Sequence, residues 1–345
     1  MHVLQTARSA RGVALRARVS FTALLSALVV GGASGVLAED QPAAPDSKPQ
    51  GQVTVGVRHL DAQSLGQIIP EFVKSHSTPS VIINQLSRWS APVCPTITGL
   101  QPGFGEAISR RIVAVAASVG APTTEGKCDF NVEILFTPKP QAMLEDVAKK
   151  YPGYLGYVPD KPKPDTTFNR AIQVWYVTAT HSGHGNTDAS KQTESLKSAP
   201  LPPMEGSRTA VSAKLPDLMV DSASTAAAIN AARGRGASGK HLTSEIVHVL
   251  VIVDPTKVTT QSLGSISDYI AVLTLTRVAS LDTCSDLPSI VDLFSAGCVG
   301  KSSPASVTDA DKVYLKGLYS TDLEKTVEQQ RGDIDDAMRR QLTGS

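Results

Sequence analysis

Few side chains in this sequence combine the type and the spacing that chemistry needs. The four cysteines, Cys94, Cys128, Cys284 and Cys298, include no C-x-x-C pair, so zinc or thiol redox chemistry has no local frame. An even count suits two disulfides with three connectivities. Cys94–Cys128 and Cys284–Cys298 are expected, because the first pair brackets a strand–helix–strand unit and the second a short helix. His181 and His184 stand three apart, a spacing that puts two imidazoles on one metal if the segment is helical. Ser182, Gly183 and Gly185 argue for a loop instead, and no acid lies between the two to act as general base. His248 sits in an apolar run and reads as a packed strand histidine; His59, His76 and His241 are isolated. A metal would have to recruit His181, His184 or His248.

The run GRGASGKH at 234–241 has the spacing of a phosphate loop. It ends in His241 where a Ser or Thr hydroxyl is needed to hold Mg²⁺, and a helix-like run precedes it where a strand belongs. It reads as a glycine loop. No G-x-S-x-G elbow and no H-E-x-x-H motif occur, and no acid/base pair stands out. No cofactor is expected.

The elements that must position any site centre on residues 245–275. Residues 246–253 are apolar almost throughout, which predicts a strand covered on both faces. After a turn at Asp254-Pro255 comes a helix whose Ile266, Tyr269, Ile270, Leu273 and Leu275 have core spacing. Asp268 is a lone acid among them. Before this centre, residues 88–97 (RWSAPVCPTI) predict a strand, with Pro92 and Pro95 placing it at a sheet edge. In 104–119, Phe104, Ile108, Ile112, Val115 and Val119 form a helical face that Gly120 stops. Residues 129–136 alternate as a strand with Phe130, Val132, Ile134 and Phe136 on one face. Residues 142–151 predict a helix, 171–179 a strand, 287–294 a short helix, 308–319 a helix capped by Thr308 with Asp311 three residues on, and 324–342 a charged helix. Residues 207–220 offer a further strand or hairpin, and 222–232 are Ala-rich and helical or loosely ordered. Near the front, 53–57 predicts a strand and 64–75 a helix interrupted by Pro70. Residues 53–84 are read as a strand–helix extension of a main domain at 85–345.

The N-terminus carries a targeting pattern: Arg8, Arg11, Arg16 and Arg18, the apolar stretch FTALLSALVV at 21–30, and Val36-Leu37-Ala38 before two acids. Cleavage after Ala38 is expected, followed by a Pro-rich linker at 39–52 and export to a periplasm or the medium. The chain's formal charge is +1; without those four arginines, 29 basic residues stand against 32 acidic ones. No basic field remains for nucleic acid or anionic lipid. No run beyond the leader is long enough for a membrane span.

The order of elements resembles the zincin-type metallopeptidases, and more closely an uncharacterised group of exported bacterial proteins related to them. The resemblance rests on Arg88-Trp89 and Pro92, the helix through Arg111-Ile112, the strand at 131–136, the central strand and helix, LPSIVDLF at 287–294, and the helix running from Asp309-Ala310-Asp311 to Leu318-Tyr319. It implies an α+β fold, a zincin-like mixed sheet with packed helices, over about residues 85–330. It also implies a departure. Where that family carries two histidines four apart and a Glu between them, this helix reads Ser267-Asp268-Tyr269-Ile270-Ala271, with no third His in 274–282. The resemblance therefore implies a domain without its zinc chemistry. Asp268 is then either a remnant acid in a cleft or, as read here, an acid complementing the helix start behind Gly264 and Ser265. Tyr269 and Trp89 read as packing residues. Trp175 and Tyr176 read as sheet residues that, with Tyr269, are the candidates for lining a cleft. The function expected is a non-catalytic binding or structural protein of the cell envelope, taking a peptide, glycan or envelope protein; the alternative is a hydrolase with a non-standard site.

Overall fold

The computed structural model describes residues 62–157, 162–182, 242–298 and 303–343. The expected leader, the linker at 39–52, the strands at 53–57 and 207–220, the Ala-rich run and the glycine loop lie outside the described residues. The strands are β1 (Arg88–Trp89), β2 (Pro95–Thr98), β3 (Val132–Phe136), β4 (Ile172–Ser182) and β5 (Leu242–Val253). The helices are α1 (Ala62–His76), α2 (Pro102–Ser118), α3 (Pro140–Lys150), α4 (Leu263–Leu275), α5 (Asp309–Ser320) and α6 (Val327–Leu342). Three 3₁₀ turns, Pro152–Leu155, Ile290–Phe294 and Ala296–Cys298, complete the described elements.

β5 is apolar on both sides because the sheet is covered on both sides. Along one edge it pairs antiparallel with β4, from Ile172 opposite Val253 to Ser182 opposite Leu242. Along the other it pairs parallel with β1 at Glu245 and Ile246 and with β3 at 249–253. β2 adds to β3, also in parallel. The result is a mixed sheet, parallel apart from β4, with helices packed on it. Residues 88–97 are not one strand as expected. Arg88–Trp89 pairs with β5 and Pro95–Thr98 with β3, and the chain crosses between the two through Pro92, which has no N–H to give a ladder.

The pleat divides the core. Val249, Val251 and Val253 join Val132, Ile134 and Phe136 in the main core, which includes α2, α4 and α5. Leu250, Ile252, Leu135 and Trp175 point the other way, against Leu144 and Val147 of α3 and Tyr154 and Leu155 of the first 3₁₀ turn. All five residues of β3 are buried, so its alternation marks two covered faces rather than one wet face; Phe130, just before it, is 41% exposed. In α2, Ile108, Ile112, Val115 and Ala116 are buried. The end positions differ: Val119 is buried, whereas Phe104 is 50% exposed, outside the reach of the α2–α4 contact. Gly120, at φ +82°, turns the chain out of the helix as the sequence predicts.

α1 runs through Pro70 without interruption. Proline has no N–H for the carbonyl four residues back, here Gly66. That carbonyl is satisfied from outside: Arg339 Nη2 on α6 donates to Gly66 O at 2.9 Å. The same helix buries Ile69, Phe72 and Val73 in the main core. No helix among the described residues is long and apolar enough to cross a membrane.

Candidate functional site

Asp268 lies one turn into α4, whose N-cap Ser262 accepts from the Ser265 N–H. Its side chain does not complement the helix start. It is 2% exposed and turned onto α2, where the Arg111 guanidinium grips both oxygens: Nε donates to Oδ1 and Nη2 to Oδ2 at 2.9 Å. The Val307 N–H donates to Oδ2 at 3.0 Å. Hydrogen bonding to Asp268 pushes the Arg111 pKa further up. The neighbouring positions are equally committed. Ser267 Oγ donates to Leu263 O at 2.6 Å, and Ala271 has no ligand atom. Tyr269 is buried edge-to-face on Phe294, with ring centres 4.9 Å apart. Trp175 and Tyr176, adjacent on β4, take opposite faces. Trp175 Nε1 donates to Asp165 O on the α3 side, and the Tyr176 hydroxyl donates to Leu273 O and Thr276 O beside α4. The three aromatic residues therefore do not line one cleft.

Of the metal candidates, His184 lies outside the described residues. His181 has a described backbone, paired with Thr243, and no described side chain. His248 is buried beside Glu133 of β3, Nε2 to Oε1 3.4 Å, under the edge of the Tyr154 ring at 4.8 Å. Neither His248 nitrogen nor Glu133 Oε1 has a hydrogen-bond partner among the described residues. Burial, with the Glu133 charge next, pushes the Tyr154 hydroxyl pKa far up. Such a pair costs desolvation without full hydrogen bonding in return. The double variant Glu133→Leu/His248→Phe is therefore expected to equal or exceed the parent in denaturant stability. Glu133→Leu alone, which strands the imidazole, is expected to lose about 1–3 kcal/mol.

The most connected polar cluster joins residues that no sequence motif singled out together. His76 from the end of α1, Ser289 before the second 3₁₀ turn and Asp311 in the first turn of α5 meet in the interior, each at most 1% exposed. His76 Nδ1 donates to Phe72 O at 2.8 Å, and Nε2 lies 3.1 Å from Ser289 Oγ. Ser289 Oγ donates to Asp311 Oδ1 at 2.6 Å. Asp311 Oδ2 accepts from the N–H groups of Ile290 and Thr308 and from the Thr308 hydroxyl, all at 2.9 Å. The residue types are those of a Ser–His–Asp triad, but the order is not. A triad places the imidazole between hydroxyl and carboxylate; here the hydroxyl lies between the other two, and no group faces solvent. Burial lowers the His76 pKa and the Asp311 charge works against it. The cluster is a junction that ties α1 to the starts of two helical segments. A capping box at Thr308 was legible; its extension to residues 76 and 289 was not.

Both expected disulfides are formed, Cys94–Cys128 and Cys284–Cys298, and no cysteine is free. They place the folded chain in an oxidising, extracellular or periplasmic environment. Against the second lies Asp292, 5% exposed, with Oδ1 accepting from the Ser285 N–H at 3.1 Å. Burial pushes its carboxyl up to about 6, and the Asp311 charge adds to this against the Ser285 hydrogen bonds. The folded chain holds this proton more tightly than the unfolded chain does, so the group's contribution to stability falls as pH rises from about 4 to about 6 and stays low above that. Chemical denaturation between pH 4 and 7 should show that slope in the parent and a flatter profile in Asp292→Asn.

A cavity of about 380 Å³ lies between the end of α2 and helices α5 and α6, lined by Val119, Gly120, Lys316, Gly317, Tyr319 and Gln341. It touches none of these clusters. A scan against protein-family models and searches of curated proteins and of solved structures found no match to this chain.

Proposed function

We propose that this chain is an exported, non-catalytic binding or structural protein of the cell envelope, built on a zincin-like α+β body that has no metal helix. The observation that carries the reading is the state of Asp268. The acid that the resemblance sets at the position of a metallopeptidase general base has both oxygens committed to Arg111 and Val307, and its neighbours Ser267 and Ala271 offer no ligand pair. A general base needs a free lone pair within reach of water; this carboxylate is a tie between helices. The two disulfides fit the leader at 1–38 and cleavage after Ala38. β4 supports a binding role: it is long, uncharged over 172–180, and has a strand on one side only among the described residues, the form that accepts an extended peptide beyond Tyr176, whose carbonyl is packed against Gly156.

The test is elemental analysis of residues 39–345, expressed with zinc and purified without reductant so that both disulfides persist, alongside a panel of extended peptides and cell-wall fragments read by thermal shift. Less than about a tenth of an equivalent of zinc, together with a shift from one ligand class, is the expected result. Stoichiometric zinc, or peptide cleavage that a chelator stops, overturns the reading in favour of a hydrolase.

A further inference from the structure

The geometry points to a second, redox-gated role for the loop closed by the last two cysteines: once Cys284–Cys298 is reduced, Cys284, Cys298 and Asp292 form a three-ligand site for a thiophilic divalent cation, zinc by its chemistry. One ligand atom from each residue already lies within 4.8 Å of the other two. Two thiolates and a carboxylate are a donor set for Zn²⁺, with a fourth position left to water. The other disulfide has no such companion acid: among the described residues, this is the one grouping of three or more ligand-type side chains at metal-binding distances.

Two further observations separate this from a chance neighbour. Asp292 is buried against the sulfurs with no Lys, Arg or His ion-paired to it among the described residues, where the Ser285 N–H is the donor to its carboxylate. A cation held between it and two thiolates supplies positive charge to that carboxylate. The segments that carry the ligands are also held together without the disulfide. The Gly297 N–H donates to Asp282 O at 3.0 Å, and a Cβ at Gly297 would fall 2.6 Å from that same carbonyl, so residues 282–284 and 296–298 pack backbone to backbone. The Ser285 N–H bond to Asp292 fixes the third ligand on the same frame. Reduction therefore opens the sulfurs without releasing the loop. Cys284 is half-buried and Cys298 buried, so exchange starts at Cys284.

The chemistry balances with a dithiol reductant. Its thiolate attacks Cys284 Sγ, the S–S bond breaks, and the mixed disulfide is resolved by its second thiol. Two electrons and two protons pass to the protein, leaving two cysteine thiols and one oxidised dithiol. Binding of the divalent cation then releases the two thiol protons to water. In the oxidised protein the sulfurs are bonded to each other and the site does not exist. The role is independent of the reading above, whose zinc assay uses the oxidised chain.

The test is a Co²⁺ titration of residues 39–345, either oxidised or reduced by a dithiol that is removed anaerobically before metal is added, read by the thiolate-to-cobalt charge-transfer band and followed by displacement with Zn²⁺. The expected result is one equivalent bound by the reduced parent and none by the oxidised one. Binding is expected to weaken about tenfold or more in Asp292→Asn, which keeps both thiols, and to vanish in Cys284→Ser/Cys298→Ser, which keeps the other pair. Absence of the band in the reduced parent overturns the proposal. So does equal binding by Asp292→Asn, or a band that survives in the double serine variant, which would place the metal at Cys94 and Cys128. A far-UV spectrum lost on reduction also overturns it, since the site requires the folded chain.

Discussion

Asp311→Ala is expected to lose about 3–5 kcal/mol of unfolding free energy. The carboxylate is fully buried and accepts from four groups: the hydroxyls of Ser289 and Thr308 and the N–H groups of Ile290 and Thr308. Those two N–H groups open two helical segments, where the donors have no partner within the helix. Alanine leaves several buried donors unpaired at once and opens the contact between α1 and α5. Asp311→Asn should fall between, since it keeps one acceptor oxygen but turns an NH₂ group toward donors. The control is Asp309→Asn in the same first turn, whose side chain is 88% exposed and whose loss should stay near 0.5 kcal/mol. Urea titrations of the oxidised proteins at pH 7 decide the matter: a loss under about 1 kcal/mol for Asp311→Ala would remove the junction from any account of stability.

Arg111→Ala should cost about 3 kcal/mol or more, although the arginine itself is 47% exposed. The loss comes from its partner. Without the guanidinium, Asp268 keeps only the Val307 N–H and remains a charge sealed among α2, α4 and the start of α5. The double variant Arg111→Met/Asp268→Leu removes both charges and is expected to be more stable than Arg111→Ala alone. With the matched single variants Arg111→Met and Asp268→Leu, the cycle then reports a coupling of about 1–3 kcal/mol. If the double variant is as damaged as the single one, the pair is not what holds these helices, and Asp268 is free for another role. Circular dichroism and denaturant midpoints suffice for this measurement.

Much of the framework was legible because it is local. The face of α2, the stop at Gly120 and the capping box at Thr308 each follow from residues within a few positions of one another. Burial on both faces of β5 follows from an unbroken apolar run. The connectivity of the cysteines followed from what each pair brackets. The errors sit at boundaries and ends. Phe104 and Phe130 fit the period of their elements but fall where no neighbouring element reaches them. The run 88–97 had strand composition throughout, yet it serves two partners. The site chemistry was not legible for a different reason. Arg111 and Asp268 are 157 positions apart and His76 and Ser289 are 213 apart, and a polar residue in a helix face carries no mark of which distant side chain will meet it. Asp268 could be read as a helix-start acid on spacing alone, and only the packing of α2 across α4 reveals its partner.

The seating of Arg339 on the Gly66 carbonyl bears on the order in which the chain folds. The first described helix is completed by the last. β2, α2 and β3 are neighbours in sequence and pair early, but β1 and β4 have β5 as their strand partner among the described residues, and the groove that takes Phe72 and Val73 lacks one wall until α6 is present. Contacts of such sequence separation are the slow ones to form. During vectorial synthesis the α1 face stays open while the ribosome still holds the C-terminal segment. Closure is then a whole-chain event, and until it occurs the polar groups at the end of α1 and the Gly66 carbonyl are left to water.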